Sequence, residues 1–189
     1  MTVKPALICV PAFLVLALTA CDPGSAPVTP ALTGHDCIVG DWTADLDDLA
    51  VQMAAFYEEN GTGEDLTGTV SGDGEHATFN ADGTATARDD ATIVFTGTRS
   101  GSPLTMTSVR TGGFTSDWDL AGQDFLFTNS SDYTYSITTT VEWNGVTTTL
   151  PPQDTTAFSD DVAITAICDG DVMTMKPDIS PFTTTWNRD

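Results

Sequence analysis

The stretch from Tyr133 to Trp143 constrains this chain more than any other. Tyr133, Tyr135, Ile137, Val141 and Trp143 fall on odd positions, while Thr134, Ser136, Thr138, Thr140 and Glu142 fall on even ones. A period of two with one apolar side is the mark of a half-buried strand. Asn144-Gly145 follows at once, the dipeptide that best tolerates positive φ at both centres of a two-residue hairpin turn. That turn sets Trp143 opposite Val146, Val141 opposite Thr148 and Thr139 opposite Leu150. A second hairpin is expected at Asp169-Gly170, with Ala166 opposite Met173 and Ile164 opposite Met175. Further strands are expected at His76–Asn80, Thr84–Arg88, Thr92–Thr96, Leu104–Arg110, Phe114–Leu120, Gln123–Asn129 and Phe182–Arg188. Turn signals at Asp82-Gly83, Gly112-Gly113 and Gly122 separate most of them. The fold class is therefore mainly β, with about 8–10 short antiparallel strands forming a barrel or a sandwich.

One amphipathic helix interrupts this pattern near the N-terminus. Asp45 can cap it, Leu46, Leu49, Met53, Phe56 and Tyr57 recur at helical spacing, and Gly61 lies beyond its end. Its other side carries Asp47, Asp48, Glu58 and Glu59, so the apolar side is expected to pack on the sheet. The body from Cys37 to Asp189 has the length of a single domain.

The first residues obey a different logic. Lys4 precedes an uncharged apolar stretch, Pro5 to Ala20, too short for a comfortable transmembrane helix and ending in small residues. These are the properties of a secretory signal. Leu18-Thr19-Ala20-Cys21 resembles the lipobox of bacterial lipoproteins. The resemblance implies diacylglyceryl transfer to the Cys21 thiol, cleavage before it and acylation of the new amine, so residues 1–20 are expected to be removed. Residues 21–36, with Pro23, Pro27, Pro30 and Gly24, then read as a lipidated tether. Such a tether reaches on the order of 20 Å if coiled and up to ~50 Å if extended. Cleavage would remove Lys4 and no acid, leaving five basic against 27 acidic residues, net −22. That charge repels nucleic acid and anionic headgroups, so attachment to a membrane falls to the anchor. The expected location is the cell envelope, outside the cytoplasm. Cys9 leaves with the signal and Cys21 takes lipid, which leaves Cys37 and Cys168 as an even pair in an oxidising compartment. A disulfide between them is the default.

Two short motifs give the body a family likeness. Gly40-Asp41-Trp42 matches the Gly-x-Trp that opens the first lipocalin strand, and Thr185-Trp186-Asn187-Arg188 is similar to the last strand, whose arginine lies across that tryptophan. With Phe79–Gly83 and Cys168-Asp-Gly-Asp between them, the chain resembles bacterial lipocalin-like (calycin) lipoproteins in outline. The resemblance implies an antiparallel β-barrel closed where Trp42 meets Arg188. The chain departs from the usual plan in placing a helix where the first long strand should run.

No catalytic pattern stands out. Gly72-x-Gly74-x-x-Ala77 formally fits the dinucleotide fingerprint, but Asp73 and Glu75 would repel a pyrophosphate and no helix follows. Nucleophile elbows, phosphate loops and zinc signatures are missing from the sequence, and His76 has no evident catalytic mate. No cofactor and no enzymatic activity are expected. The resemblance implies an apolar or amphipathic small molecule in the barrel mouth, lined by Tyr133, Tyr135, Ile137, Val141, Ile164, Met173 and Met175. The alternative is a filled barrel that serves as a scaffold and docks another envelope protein.

Overall fold

Alternation of buried and exposed residues runs much further than short strands would allow. The computed structural model describes residues 34–122, 124–151 and 162–189; the expected signal segment, Cys21 and the tether as far as residue 33 lie outside these. Strand β3, Thr84–Arg99, buries Ala85, Asp89, Ala91, Ile93 and Phe95, all odd positions. Strand β4, Ser102–Ala121, buries every even position from Leu104 to Arg110 and again from Phe114 to Trp118. The pairs of short strands expected at Thr84–Arg88 and Thr92–Thr96, and at Leu104–Arg110 and Phe114–Leu120, are thus two long strands.

Gly112-Gly113 is not a turn. Both glycines lie within β4, where a Cβ on Gly113 would strike the Ala87 carbonyl and one on Gly112 the Thr134 carbonyl. Their small size admits close neighbours rather than reversing the chain.

The remaining elements, in order, are α1 (His35–Ile38), β1 (Gly40–Ala44), α2 (Leu46–Glu59), β2 (Glu64–Phe79), then β3 and β4. After these come β5 (Asp124–Ser131), β6 (Ser136–Trp143), β7 (Val146–Thr149), β8 (Ile164–Asp169), β9 (Val172–Pro177) and β10 (Thr184–Arg188). Among the described residues all pairings are antiparallel, and eight strands close a ring in the order β3-β2-β1-β10-β9-β8-β5-β4. One edge of β4 carries two partners: β6 along Leu104–Thr111 and β5 along Thr115–Ala121. At the β5 end the sheet therefore closes, while at the β6 end it continues as β2-β3-β4-β6-β7. Helix α2 lies against that open part.

The helix forms as its residues dictate. The Asp45 carboxylate accepts from the Asp48 amide at 3.0 Å, a cap worth about 1 kcal/mol. Leu46 and Leu49 are buried against the ring, while Ala50 and Ala54 pack with Ile93, Phe95, Leu104 and Met106 of the long strands. Gly68 of β2 permits this approach, since its missing Cβ would lie 2.9 Å from that of Ala50. Phe56 stands at the margin, edge-on to Phe182 at 5.3 Å. No helix among the described residues is long and apolar enough to cross a membrane.

The first hairpin has the expected register: Trp143 pairs with Val146, Val141 with Thr148, and the Leu150 amide donates to the Thr139 carbonyl at 2.9 Å. Asn144 and Gly145 adopt φ of 52° and 71°, the double positive the turn requires. The second hairpin differs by two residues. Asp169 pairs with Val172, Cys168 with Met173 and Ala166 with Met175, so the turn is Gly170-Asp171. Gly170 takes the first central position at φ 63°, where glycine is favoured, and the parity of the two faces survives the shift.

Cys37 and Cys168 are bonded, with Cα atoms 6.0 Å apart. His35, placed in the tether by sequence, instead belongs to the one-turn helix α1 and stacks on Trp118 at 4.4 Å.

Candidate functional site

A defect in one strand brings charge into the interior. The inward residues of β2 are Leu66, Gly68 and Val70, on even positions, and then Glu75, Ala77 and Phe79, on odd ones. Between the two runs Gly72 pairs with Ala91 and Gly74 with Asp90, leaving Asp73 as an extra residue. Gly72 and Gly74 adopt φ of 107° and 94° to make this bulge. A bulge of one residue swaps the faces of everything that follows. The glycines of the apparent dinucleotide fingerprint therefore turn Glu75 inward and leave Asp73 outside.

Three neighbouring strands complete the cluster. Glu75 pairs directly with Asp89 of β3, and Arg110 of β4 sits diagonally beyond, opposite Ala91. The Arg110 Nε donates to Asp89 Oδ2 and Nη2 to Glu75 Oε2, both at 2.6 Å. Nη2 also reaches the Tyr135 hydroxyl at 2.7 Å, and that hydroxyl donates to Asp89 Oδ2 at 3.0 Å. Glu75 and Asp89 are each 3% exposed and Arg110 9%. Loss of solvent pushes the Glu75 carboxyl up to about 7, against the downward pull of the Arg110 guanidinium; Asp89 adds to the rise and His76 opposes it. Desolvation likewise raises Tyr135, whereas Arg110 is held above its usual range because its carboxylate neighbours outweigh burial. The bookkeeping is uneven: two carboxylates face one guanidinium, and Asp89 Oδ1 is buried without a partner among the described residues.

This cluster forms one wall of a cavity of ≈ 280 Å³. Glu75, Ser108, Arg110 and Tyr135 border it from the sheet, Leu49, Met53 and Tyr57 from α2, and Ile179 and Phe182 from the segment after β9. An adjoining cavity of ≈ 390 Å³ lies between the end of α2 and the β6–β7 hairpin, bordered by Met106, Val141, Trp143 and Val146. Tyr57 and Thr139 border both. A third space of only ≈ 10 Å³, about one water in size, separates Glu75 from Trp186 inside the ring.

The seven residues expected to line a single cavity are dispersed. Ile164, Met173 and Met175 are sealed in the ring core with Phe125 and Trp186. Tyr135 and Ile137 border the smaller cavity and Val141 the larger. Tyr133 is 42% exposed and packs on Phe114 at the rim. The reason is architectural: β6 belongs to the open extension, whereas β8 and β9 belong to the ring. At the base of the ring, Arg188 stands over the Trp42 ring at 4.3 Å. Its Nη1 donates to the Val39 carbonyl at 2.8 Å and Nη2 to that of Cys37, while Trp42 Nε1 donates to the Ile38 carbonyl at 2.7 Å.

Glu75, Asp89 and Arg110 escaped the sequence reading. Arg110 carried a usable signal, being in phase with the apolar positions Leu104 and Met106. Glu75 shares its phase with Ala77 and Phe79, but the bulge ahead of it breaks the alternation with Leu66 and Val70. Among the described residues no group of three His, Cys, Asp or Glu side chains is placed to hold a metal. No known family model matches the chain, and comparison with curated proteins and with solved structures finds no match either.

Proposed function

We propose that the protein is an extracytoplasmic lipoprotein, anchored through Cys21, whose lipocalin-like barrel binds an apolar or amphipathic small molecule. The observation that carries this reading is the pair of adjoining cavities beneath α2, apolar on most sides with one buried polar wall, the usual make-up of a small-molecule site. The sites lie between the helix and the sheet extension rather than within the ring. The ring itself is packed with Trp42, Phe79, Phe125, Met173 and Trp186, which favours the second reading, a filled envelope scaffold that docks another protein.

Titration of the lipid-free mature protein with the neutral apolar fluorophore N-phenyl-1-naphthylamine separates the two. The binding reading expects saturable uptake with a change in emission from Trp143, which borders the larger cavity. Thr139→Trp, placed where both cavities meet, should abolish it while leaving the fold intact by circular dichroism. Uptake that never saturates, or that survives Thr139→Trp unchanged, leaves the scaffold reading in place. The anchor is tested separately: Cys21→Ser should move the protein out of the membrane fraction or leave it uncleaved.

A further inference from the structure

We infer that the ≈ 280 Å³ cavity selects an organic cation, an amphiphile whose ammonium head stands against Glu75 and whose apolar body lies along Leu49, Met53 and Phe182. The inference rests on the binding reading above and adds the sign of the ligand's charge.

Four observations converge on that sign. Glu75 borders the cavity, and Arg110 makes the one hydrogen bond found to its carboxylate among the described residues, through Oε2. The buried cluster holds two carboxylates against one guanidinium, so it carries a surplus negative charge whenever both acids are ionised. Arg110 already serves both carboxylates through Nε and Nη2; an anionic head would bring a third negative charge to the same guanidinium in a poorly solvated place. Finally, Tyr57, Tyr135 and Phe182 all border the cavity, and aromatic faces attract cations but not anions. The chain as a whole, at −21, draws positive ligands toward it from solution.

The proton balance follows. A cation entering while Glu75 is protonated displaces that proton to solvent, so binding tightens as the carboxyl ionises. The charged and titratable groups around Glu75 are Asp89 on β3, Arg110 on β4, Tyr135 before β6, Tyr57 across the cavity on α2, and His76 beside it on β2. His76 lies on the outer face, where its ring is hydrogen-bonded to Thr43 and to the Asp73 carbonyl.

The test compares three probes of equal length, octylammonium, octanol and octanoate, by titration calorimetry on the lipid-free mature protein. Octylammonium keeps its charge across the range from pH 5.5 to 8.5, as an alkyl ammonium with a pKa near ~10 must. Its affinity should rise up to about tenfold per pH unit below pH ~7 and level off above, as a single displaced proton requires. At pH 8 it should exceed that of octanoate at least about tenfold, a difference of ~1.4 kcal/mol. Glu75→Gln should flatten the pH dependence and shrink the preference for octylammonium over octanol. Should that variant fold poorly, Asp89→Asn tests the preference instead: it removes the surplus charge and should shrink the preference for octylammonium over octanol, while Glu75 still titrates. Equal binding of the three probes, or preference for octanoate, overturns the inference while the cavity remains a binding site. Failure of all three to bind removes both readings. A pH dependence that persists in the folded Glu75→Gln protein places the titrating group elsewhere and also overturns it.

Discussion

Glu75 is a carboxyl that folding makes harder to ionise. Its pKa moves from an unfolded value near 4.5 to about 7, and desolvation is the main cause. A group whose pKa rises on folding stabilises the native state fully below the unfolded value, and that contribution fades as pH climbs through the folded one. Stability should therefore fall between about pH 4.5 and 7 and flatten above, by on the order of a few kcal/mol from this group alone. Other acids on so negative a chain add their own slope, so the informative quantity is the difference between wild type and Glu75→Gln. Urea melts at half-unit pH steps should show the variant losing less stability across this window; parallel curves would mean that the carboxyl is solvated. Arg110 shows how much of this was legible beforehand. It falls in phase with Leu104 and Met106, so period two alone points it inward, and a buried arginine needs carboxylate partners. Which partners these are could not be read, since Glu75 and Asp89 sit among 27 acids and only the fold selects two.

At the scale of elements, the bulge in β2 does most to shape the site. Alternation predicts correctly only while the ladder stays in step, and one inserted residue reverses it. Gly72 holds the bulge at φ 107°, and a Cβ there would run into the Asp90 carbonyl oxygen. Gly72→Ala should therefore cost roughly 1–3 kcal/mol, in the range of other strained backbone positions. Measured as a loss in the urea midpoint, the cost should come with exposure of the Arg110 cluster and increased tyrosine accessibility. A variant as stable as wild type would show that the bulge relaxes without penalty. Strand length was misread for a related reason. Gly-Gly and Asp-rich stretches look like turns in isolation, yet Gly112-Gly113 and Arg88–Asp90 stay in strands because β3 and β4 satisfy one another's backbone throughout.

For the molecule as a whole, closure depends on tying the chain's beginning to its end. Strand β1 pairs with β10, Arg188 reaches the carbonyls of Cys37 and Val39, and Cys37 is bonded to Cys168 across 131 positions. In the chain-entropy account a bridge over so long a loop stabilises by up to ~5 kcal/mol. The double substitution Cys37→Ala with Cys168→Ala should lower stability by roughly 2–5 kcal/mol. The β-sheet circular dichroism should survive at low temperature, because Trp42, Trp186 and their neighbours still pack. An unchanged melting temperature would show that β-pairing alone holds the ends.

Local patterns were sufficient for everything that depends on local chemistry. Helix α2 follows from its capping Asp45 and its 3.6-residue stripe, and the β6–β7 hairpin follows from period two and one Asn-Gly turn, although the strand begins at Ser136 rather than at the expected Tyr133. The bond between Cys37 and Cys168 is the one expected if Cys9 leaves with a signal peptide and Cys21 takes lipid. Tertiary structure decided the rest. It joined short strand signals into long ones, because strand pairing is satisfied between chains of residues far apart in sequence. It sent β6 into an open extension and β8 and β9 into the ring, dividing one expected lining into a packed core and two cavities. It also assembled Glu75, Asp89 and Arg110, which no spacing relates, because a cluster on three adjacent strands is defined by register, and register belongs to the sheet.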